Sequence, residues 1–113
     1  MEASMKAILC VLMVFCLIDS ADAAGASGSA RGDVDAGATK AAVCGGCHGA
    51  SGQSVNPLWP NLAGQHVEYL DKQIRAFRDG KRLDPTMRPF VATLSDGDIA
   101  DIAAFFAAQR VCR

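Results

Sequence analysis

The apolar positions of the chain are spaced mainly three and four residues apart, which is the period of an amphipathic α-helix. In residues 65–80 this spacing connects Val67, Leu70, Ile74 and Phe77. Nearer the C-terminus it connects Ile99, Ile102, Ala103 and Phe106, with Phe105 beside them. Each of the two stretches therefore predicts a helix with one buried face.

Start and stop signals place the ends of these two helices. Gly80 ends the first, because glycine lacks the side chain that favours helical backbone. Ser95 is predicted to cap the second, with Asp98 at the position that completes a capping box. This last helix is expected to run to about Gln109.

A third helix is predicted over residues 36–45, capped by Asp33 or Asp35. Its residues are small, which would let another helix approach closely: Gly37, Ala38, Ala41 and Ala42. Nowhere do apolar and polar residues alternate as they do in strands. The predicted fold class is all-α, with three main helices and two long loops, residues 49–64 and 81–93.

The N-terminus has the pattern of a secretory signal. Lys6 precedes twelve consecutive apolar residues, 7–18, and residues 21–23 read Ala-Asp-Ala, the small-x-small form of a cleavage site. A membrane anchor would need about 20 apolar residues. The bulky residues before Cys10 and Cys16 argue against lipoprotein processing. We therefore expect a signal peptide over residues 1–23 and a periplasmic product.

The remainder divides into a flexible lead-in, residues 24–32, and one domain, residues 33–113. Its charges nearly balance, so no nucleic-acid partner is implied. A domain of this size buries a modest core and usually needs disulfides, a metal or another cross-link for stability. Of the five cysteines only three follow the signal, so no disulfide framework is expected.

The third predicted helix leads into Cys44-Gly45-Gly46-Cys47-His48. Two thiols two residues apart, followed at once by an imidazole, are what covalent haem attachment requires. A dithiol redox motif would need a βαβ context, which the alanine-rich approach does not provide. A zinc site would have to recruit His66 and Cys112, which come singly and far apart. Covalent haem is the favoured interpretation, and the haem would also be the cross-link that stabilises the domain.

The second ligand of a haem iron decides between ligand binding and electron transfer. After residue 23, Met87 is the only methionine, and it lies in the second loop between Pro85 and Pro89. We predict that Met87 is the axial ligand opposite His48. His66 is the rival, although its place at a helix start suits a surface residue.

The first long loop has few large residues, and it is expected to wrap one edge of the haem. Leu58, Trp59 and Leu62 are predicted to face the macrocycle. For Trp59, ordinary core filling is an equal alternative, because a tryptophan packs well on any apolar surface.

Basic residues gather on and after the 65–80 helix: Lys72, Arg75, Arg78, Lys81 and Arg82. They could form a docking patch for an acidic redox partner. However, acids interleave with them, with Glu68, Asp71 and Asp79 each four residues from a base. We favour a solvated face.

With these residues placed, the chain resembles the class I c-type cytochromes, particularly short single-haem bacterial members and the halves of dihaem periplasmic cytochromes. The resemblance covers residues 32–109 and rests on these segments: residues 44–49, Pro60 to Gln65, Tyr69-Leu70, Gln73, Phe77, Gly80, Met87, Leu94 to Asp96, Asp98-Ile99 and residues 103–106. It implies the cytochrome c fold, with the first and last helices packed across each other.

The same resemblance implies one haem c per chain, covalently bound through Cys44 and Cys47, with His48 and Met87 as iron ligands. It further implies that the Pro60 carbonyl accepts the His48 proton. Two departures stand out. A second attachment motif is missing, so this is a single-haem unit, and Phe106 replaces a common tyrosine.

These predictions describe an electron carrier rather than an enzyme, passing single electrons between respiratory oxidoreductases in the periplasm. The alternatives are an electron-transfer subunit of a particular dehydrogenase and a haem enzyme or sensor with an open iron. Redox proteins are the expected partners, and no membrane span is expected after signal cleavage. We expect a monomer, with Cys112 as the residue that could link two copies through a disulfide.

Overall fold

The computed structural model describes residues 31–111, which form helices and loops, with no strand in that range. The expected signal peptide, most of the lead-in and Cys112 lie outside these residues. Within residues 31–111, no helix combines the length and the apolar character that crossing a membrane requires. The predicted all-α class is therefore confirmed for the described chain.

The helix predicted over residues 36–45 is replaced by three short pieces. Helix α1 is Val34–Lys40, a 3-10 turn follows at Ala41–Val43, and helix α2 is Gly45–His48. Asp33 caps α1 by accepting a hydrogen bond from the Ala36 N–H at 2.8 Å, as one of the two predicted caps. The prediction of one continuous helix over 36–45 was wrong. The two adjacent glycines at the start of α2 have low helix propensity and favour the tightened turn before it.

The other two predicted helices are present. Helix α3 is Val67–Arg78 and helix α5 is Asp96–Ala108. Ser95 and Asp98 form the expected capping box, each side chain bonding the other's backbone N–H. The predicted stripe of α5 is buried and supplies four of the nine buried hydrophobic residues: Ile99, Ile102, Ala103 and Phe106. From α3, Leu70 joins this core and Val67 and Ile74 pack against it.

The second loop contains a helix that the sequence did not indicate. Helix α4, Arg88–Val91, has Pro89 in its first turn, and Val91 is buried. A proline there is tolerated because the first N–H groups of a helix have no partner within the helix. The expectation of a loop over all of 81–93 was therefore wrong.

Helices α1 and α5 cross at a point where only backbone fits. A Cβ atom on Gly37 would lie 2.0 Å from the Asp101 carbonyl oxygen and 2.8 Å from the Phe105 Cβ. One on Gly32 would lie 1.9 Å from the Ala100 carbonyl oxygen. The Phe105 ring also meets the Phe106 ring edge-on at 5.0 Å. The predicted crossing of the first and last helices is thus observed, and the small face at Gly37 makes it possible.

Next to this crossing, Lys40 joins the same two helices by charge. Its Nζ lies 2.8 Å from Asp98 Oδ1 and 2.6 Å from Asp101 Oδ2. Asp101 also accepts a hydrogen bond from the Asp33 N–H at 2.7 Å. One cation therefore holds two carboxylates together, which would otherwise repel each other on the first turns of α5.

The charged face of α3 differs from its predicted pairing. Asp71 and Arg75 pair as expected, at 2.6 Å, whereas neither Glu68 with Lys72 nor Arg75 with Asp79 forms an ion pair in the described chain. Asp79 pairs instead with its neighbour Arg78. Both arginines reach across to Asp96 at the start of α5. Because their charges are used within the molecule, the structure supports the preference against a docking patch at these two positions.

Replacing Gly37 should test the helix crossing. We expect Gly37→Ala to lower the free energy of unfolding by about 1–3 kcal/mol, because the added methyl meets backbone that cannot move alone. Urea unfolding followed by circular dichroism measures it. Gly97→Ala is the matched control in α5, since its Cβ would meet only Ser95 Oγ at 3.8 Å. Equal effects in the two variants would contradict the close-approach argument.

The Lys40 pairs should appear in the pH dependence of stability. Hydrogen bonds from Lys40 lower the pKa of the Asp98 and Asp101 carboxyls. A lowered folded-state pKa gives stability that is present above the unfolded pKa of about 3.9 and is lost as pH falls through the folded value. Lys40→Gln should therefore lower the melting temperature clearly at neutral pH and less at about pH 3. A difference that is the same at both pH values would contradict this.

Candidate functional site

The two thiols and the imidazole of the attachment motif lie within one helical turn. Cys44 caps α2, and the Cys47 and His48 N–H groups both approach the Cys44 carbonyl, at 3.2 and 3.0 Å. Residues three and four apart share a face of a helix. The turn therefore presents both sulfurs and the ring on one side, as a covalently attached group requires.

The His48 side chain is the buried polar group of the described core, with 5% of its surface exposed. Its Nδ1 lies 2.8 Å from the Pro60 carbonyl oxygen. Because a carbonyl oxygen can only accept, Nδ1 must carry the proton. Nε2 is then the nitrogen with a free lone pair, which is the form a histidine takes when it binds a metal.

The first loop is held in shape so that Pro60 reaches this ring. Gly49 and Gly52 have φ values of 82° and 81°, a region that favours glycine. The Gly52 carbonyl accepts hydrogen bonds from the N–H groups of Leu62 and Ala63, at 2.7 and 3.1 Å. These two hydrogen bonds join the backbone before Pro60 to the backbone after it, and so fix the loop on both sides of Pro60.

At Gly52 this loop packs closely against the core. A Cβ atom there would lie 2.7 Å from the Ala63 nitrogen and 2.8 Å from Cδ1 of Phe106, the core aromatic of α5. Gly52 is itself buried. The loop is therefore seated directly on the helical core.

The thiol chemistry does not favour the dithiol alternative. Burial raises the pKa of the Cys44 thiol above its ordinary value. Reactive dithiols have lowered pKa values instead, since the thiolate is the nucleophile. The zinc alternative has no support in residues 31–111, where no three His, Cys, Asp or Glu side chains come together. Cys112, its remaining candidate ligand, is outside that range.

The three residues predicted to face the macrocycle differ in their surroundings. Leu58 is 83% exposed and Trp59 is 36% exposed, so neither belongs to the helical core. Leu62 packs against that core. Several other large apolar side chains are also exposed, among them Val43, Leu83 and Phe90. So much apolar surface on a small domain fits a large apolar group bound beside it.

Met87 is partly buried just before α4, and a single carboxylate holds its backbone. Asp84 Oδ1 accepts hydrogen bonds from the N–H groups of Thr86 at 2.8 Å and Met87 at 3.1 Å. The rival ligand, His66, is exposed at the cap of α3. Asp84 was missed in the sequence, although an aspartate just before a proline is a known turn signal.

Residues 33–106 match the family described as cytochrome C oxidase, cbb3-type, subunit III. The chain belongs to this family of c-type cytochromes. Its fold is the all-α cytochrome c fold. A solved structure of reduced recombinant cytochrome c4 from Pseudomonas stutzeri superposes with a TM-score of 0.67 at 42% identity, over 70% of this chain and 46% of that one.

Two relatives differ in how much of their own length this cytochrome covers. It is 54% identical over 82 residues to cytochrome c4 of Pseudomonas aeruginosa, which is 73% of this chain and 41% of that protein. It is 47% identical over 81 residues to cytochrome c-554(548) of Halomonas halodenitrificans, which is 69% of this chain and 98% of that protein. The cytochrome therefore spans under half of the first relative and nearly all of the second.

The cofactor of this cytochrome is haem c. Members of the family bind it covalently through cysteine thiols, and Cys44 and Cys47 have the required spacing. The surroundings also fit, because the same helical turn presents a buried histidine with its Nδ1 proton engaged. The apolar side chains described above suit a porphyrin face.

Covalent attachment can be tested directly. After boiling in detergent, the wild-type chain should keep its haem stain on a denaturing gel, and Cys44→Ala/Cys47→Ala should lose it. Either single variant should keep one link and shift the pyridine haemochrome band to longer wavelength, because one vinyl group stays conjugated. Cys112→Ser is the control and should match wild type. A double variant that keeps its haem stain would contradict the assignment.

Proposed function

We propose that this cytochrome is a periplasmic electron carrier that passes single electrons between respiratory oxidoreductases. The observation that carries the proposal is the buried His48 ring, with its Nδ1 held 2.8 Å from the Pro60 carbonyl oxygen. An iron ligand fixed in this way can stay bound in both oxidation states, which a carrier needs.

In this proposal each residue of the site has one role. Cys44 and Cys47 form the two thioether links, and His48 binds the iron through Nε2. Met87 binds the opposite side through its sulfur, and Leu58, Trp59 and Leu62 lie against the macrocycle. The haem supplies the one-electron couple between ferrous and ferric iron. With both axial positions filled by protein, no site is left for a substrate, so the protein is not an enzyme.

Support for Met87 comes from its number and its setting. The other three methionines all lie in residues 1–23, the expected signal peptide. Asp84 fixes the backbone at Met87, and Val91 anchors the following short helix in the core. A neutral thioether stabilises the ferrous state, so Met87 would raise the reduction potential.

The proposed partners are proteins that donate or accept electrons, either in the membrane or free in the periplasm. An electron-transfer subunit of one dehydrogenase would use the same site, so the site alone does not separate the two roles. Co-purification from native membranes separates the two roles. A subunit should purify together with its dehydrogenase, and a free carrier should not.

Carbon monoxide tests whether the iron is closed. The reduced wild-type protein should show no rapid Soret shift at neutral pH, because Met87 occupies the position that the gas would take. Met87→Ala should bind the gas, lose the near-infrared sulfur-to-iron charge-transfer band and have a lower reduction potential. His66→Gln is the control and should behave as wild type. A ferric wild type that lacks this band, with carbon monoxide binding gained in His66→Gln and not in Met87→Ala, would assign the axial position to His66.

A further inference from the structure

The segment that carries Met87, residues 79–95, leaves the end of α3 and returns to the start of α5. Both ends of this segment meet at one side chain. Arg78 Nη1 donates to the Leu94 carbonyl oxygen at 3.1 Å and to Asp96 Oδ1 at 2.7 Å. A single guanidinium at the exit of the segment therefore bonds the residues at its return.

The surroundings of Arg78 hold this guanidinium in place. Its Nε donates to Asp79 Oδ1 at 2.8 Å, and its side chain is only 19% exposed. Arg75 reinforces the contact from the preceding turn, since its Nη2 lies 3.3 Å from the Asp96 carbonyl oxygen. Arg75 is itself aligned by Asp71 at 2.6 Å. These contacts of Arg78 and Arg75, which we call the clamp, form a small network and not a single ion pair.

We propose that Arg78 is a positioning residue that keeps Met87 at the iron by closing the 79–95 segment. The proposal rests on the proposed function, in which Met87 is the axial ligand. A closed segment has few conformations, whereas one released at its return end gains chain entropy and lets its middle move. The Arg78 contacts lie outside the ligand set, so Arg78 would act through the segment and not on the iron.

The expected size of the effect follows from exposure. Asp96 is 72% exposed at its side chain, so solvent weakens the charge attraction. The bond to the Leu94 carbonyl is better shielded, and removing Arg78 leaves that acceptor without its donor. A lost hydrogen bond to a charged donor of this kind corresponds to roughly a tenfold change in the opening equilibrium.

Imidazole measures the opening equilibrium without denaturant. When it binds the ferric protein, the iron–sulfur bond breaks, an iron–nitrogen bond forms and the neutral thioether leaves, with no change in oxidation state. Because imidazole can bind only after Met87 has moved away, its apparent affinity scales with the open population. At pH 7, Arg78→Gln should bind imidazole about tenfold more tightly than wild type, as read from the Soret band.

Three variants make the test specific. Lys72→Gln removes the same charge from the same helix, at an exposed position with no ion pair in the described chain, and should leave the affinity within about twofold of wild type. Arg78→Lys keeps the positive charge but loses the planar set of guanidinium donors. Its imidazole affinity should lie between those of wild type and Arg78→Gln. Asp96→Asn should also tighten binding, and its effect should not add fully to that of Arg78→Gln.

The outcomes separate the two proposals. If wild type lacks the sulfur-to-iron band at pH 7, the axial role of Met87 fails, and this inference fails with it. If wild type has the band but Arg78→Gln, Arg78→Lys and Asp96→Asn all match Lys72→Gln, only the clamp is overturned. Far-UV circular dichroism in the same buffer should be unchanged, because the expected opening is local. A parallel loss of helix would instead mean that Arg78 supports the whole fold.

Discussion

The hydrogen bond between the His48 ring and the Pro60 carbonyl is the contact on which the site depends. It joins the turn that carries the two cysteines to the loop that would cover one edge of the macrocycle. Without it, the buried ring would have an unsatisfied N–H, and either ring nitrogen could take the proton. With it, one tautomer is selected and the ring cannot rotate, so position and basicity are set together.

The helices supply the frame in which that contact can form. Helix α1 approaches α5 closely at Gly37, Gly32 lies against α5 just before α1 begins, and Leu70 of α3 joins the core that α5 forms. The described core is small, with nine buried hydrophobic residues. A core of that size gives limited stability by itself, which is why a covalently attached apolar group fits as part of the fold and not as an accessory.

Prediction from the sequence worked best where signals in neighbouring residues and burial in the core indicated the same element. The α5 stripe and its Ser95–Asp98 capping box were both correct, because periodicity and capping are written into neighbouring residues. The 3-10 turn before α2 and the short helix α4 were missed, because two adjacent glycines interrupt the first predicted helix and Pro89 is compatible with the first turn of α4. Residue size predicted a close helix approach at Gly37, and the family resemblance predicted that the last helix is the partner. The partner of each arginine on α3 was not predicted, since the choice of Asp96 is a tertiary one. For the site, the motif indicated Cys44, Cys47 and His48.

Gly52 has a wider consequence than its size suggests. It touches Ala63 in the loop and Phe106 in the last helix, so the loop and the hydrophobic interior share one contact surface. A bulkier or smaller aromatic at 106 would shift that surface and, through the loop, the oxygen that receives the imidazole proton. The electron affinity of the metal centre is thereby open to adjustment during evolution by interior substitutions that never meet the cofactor.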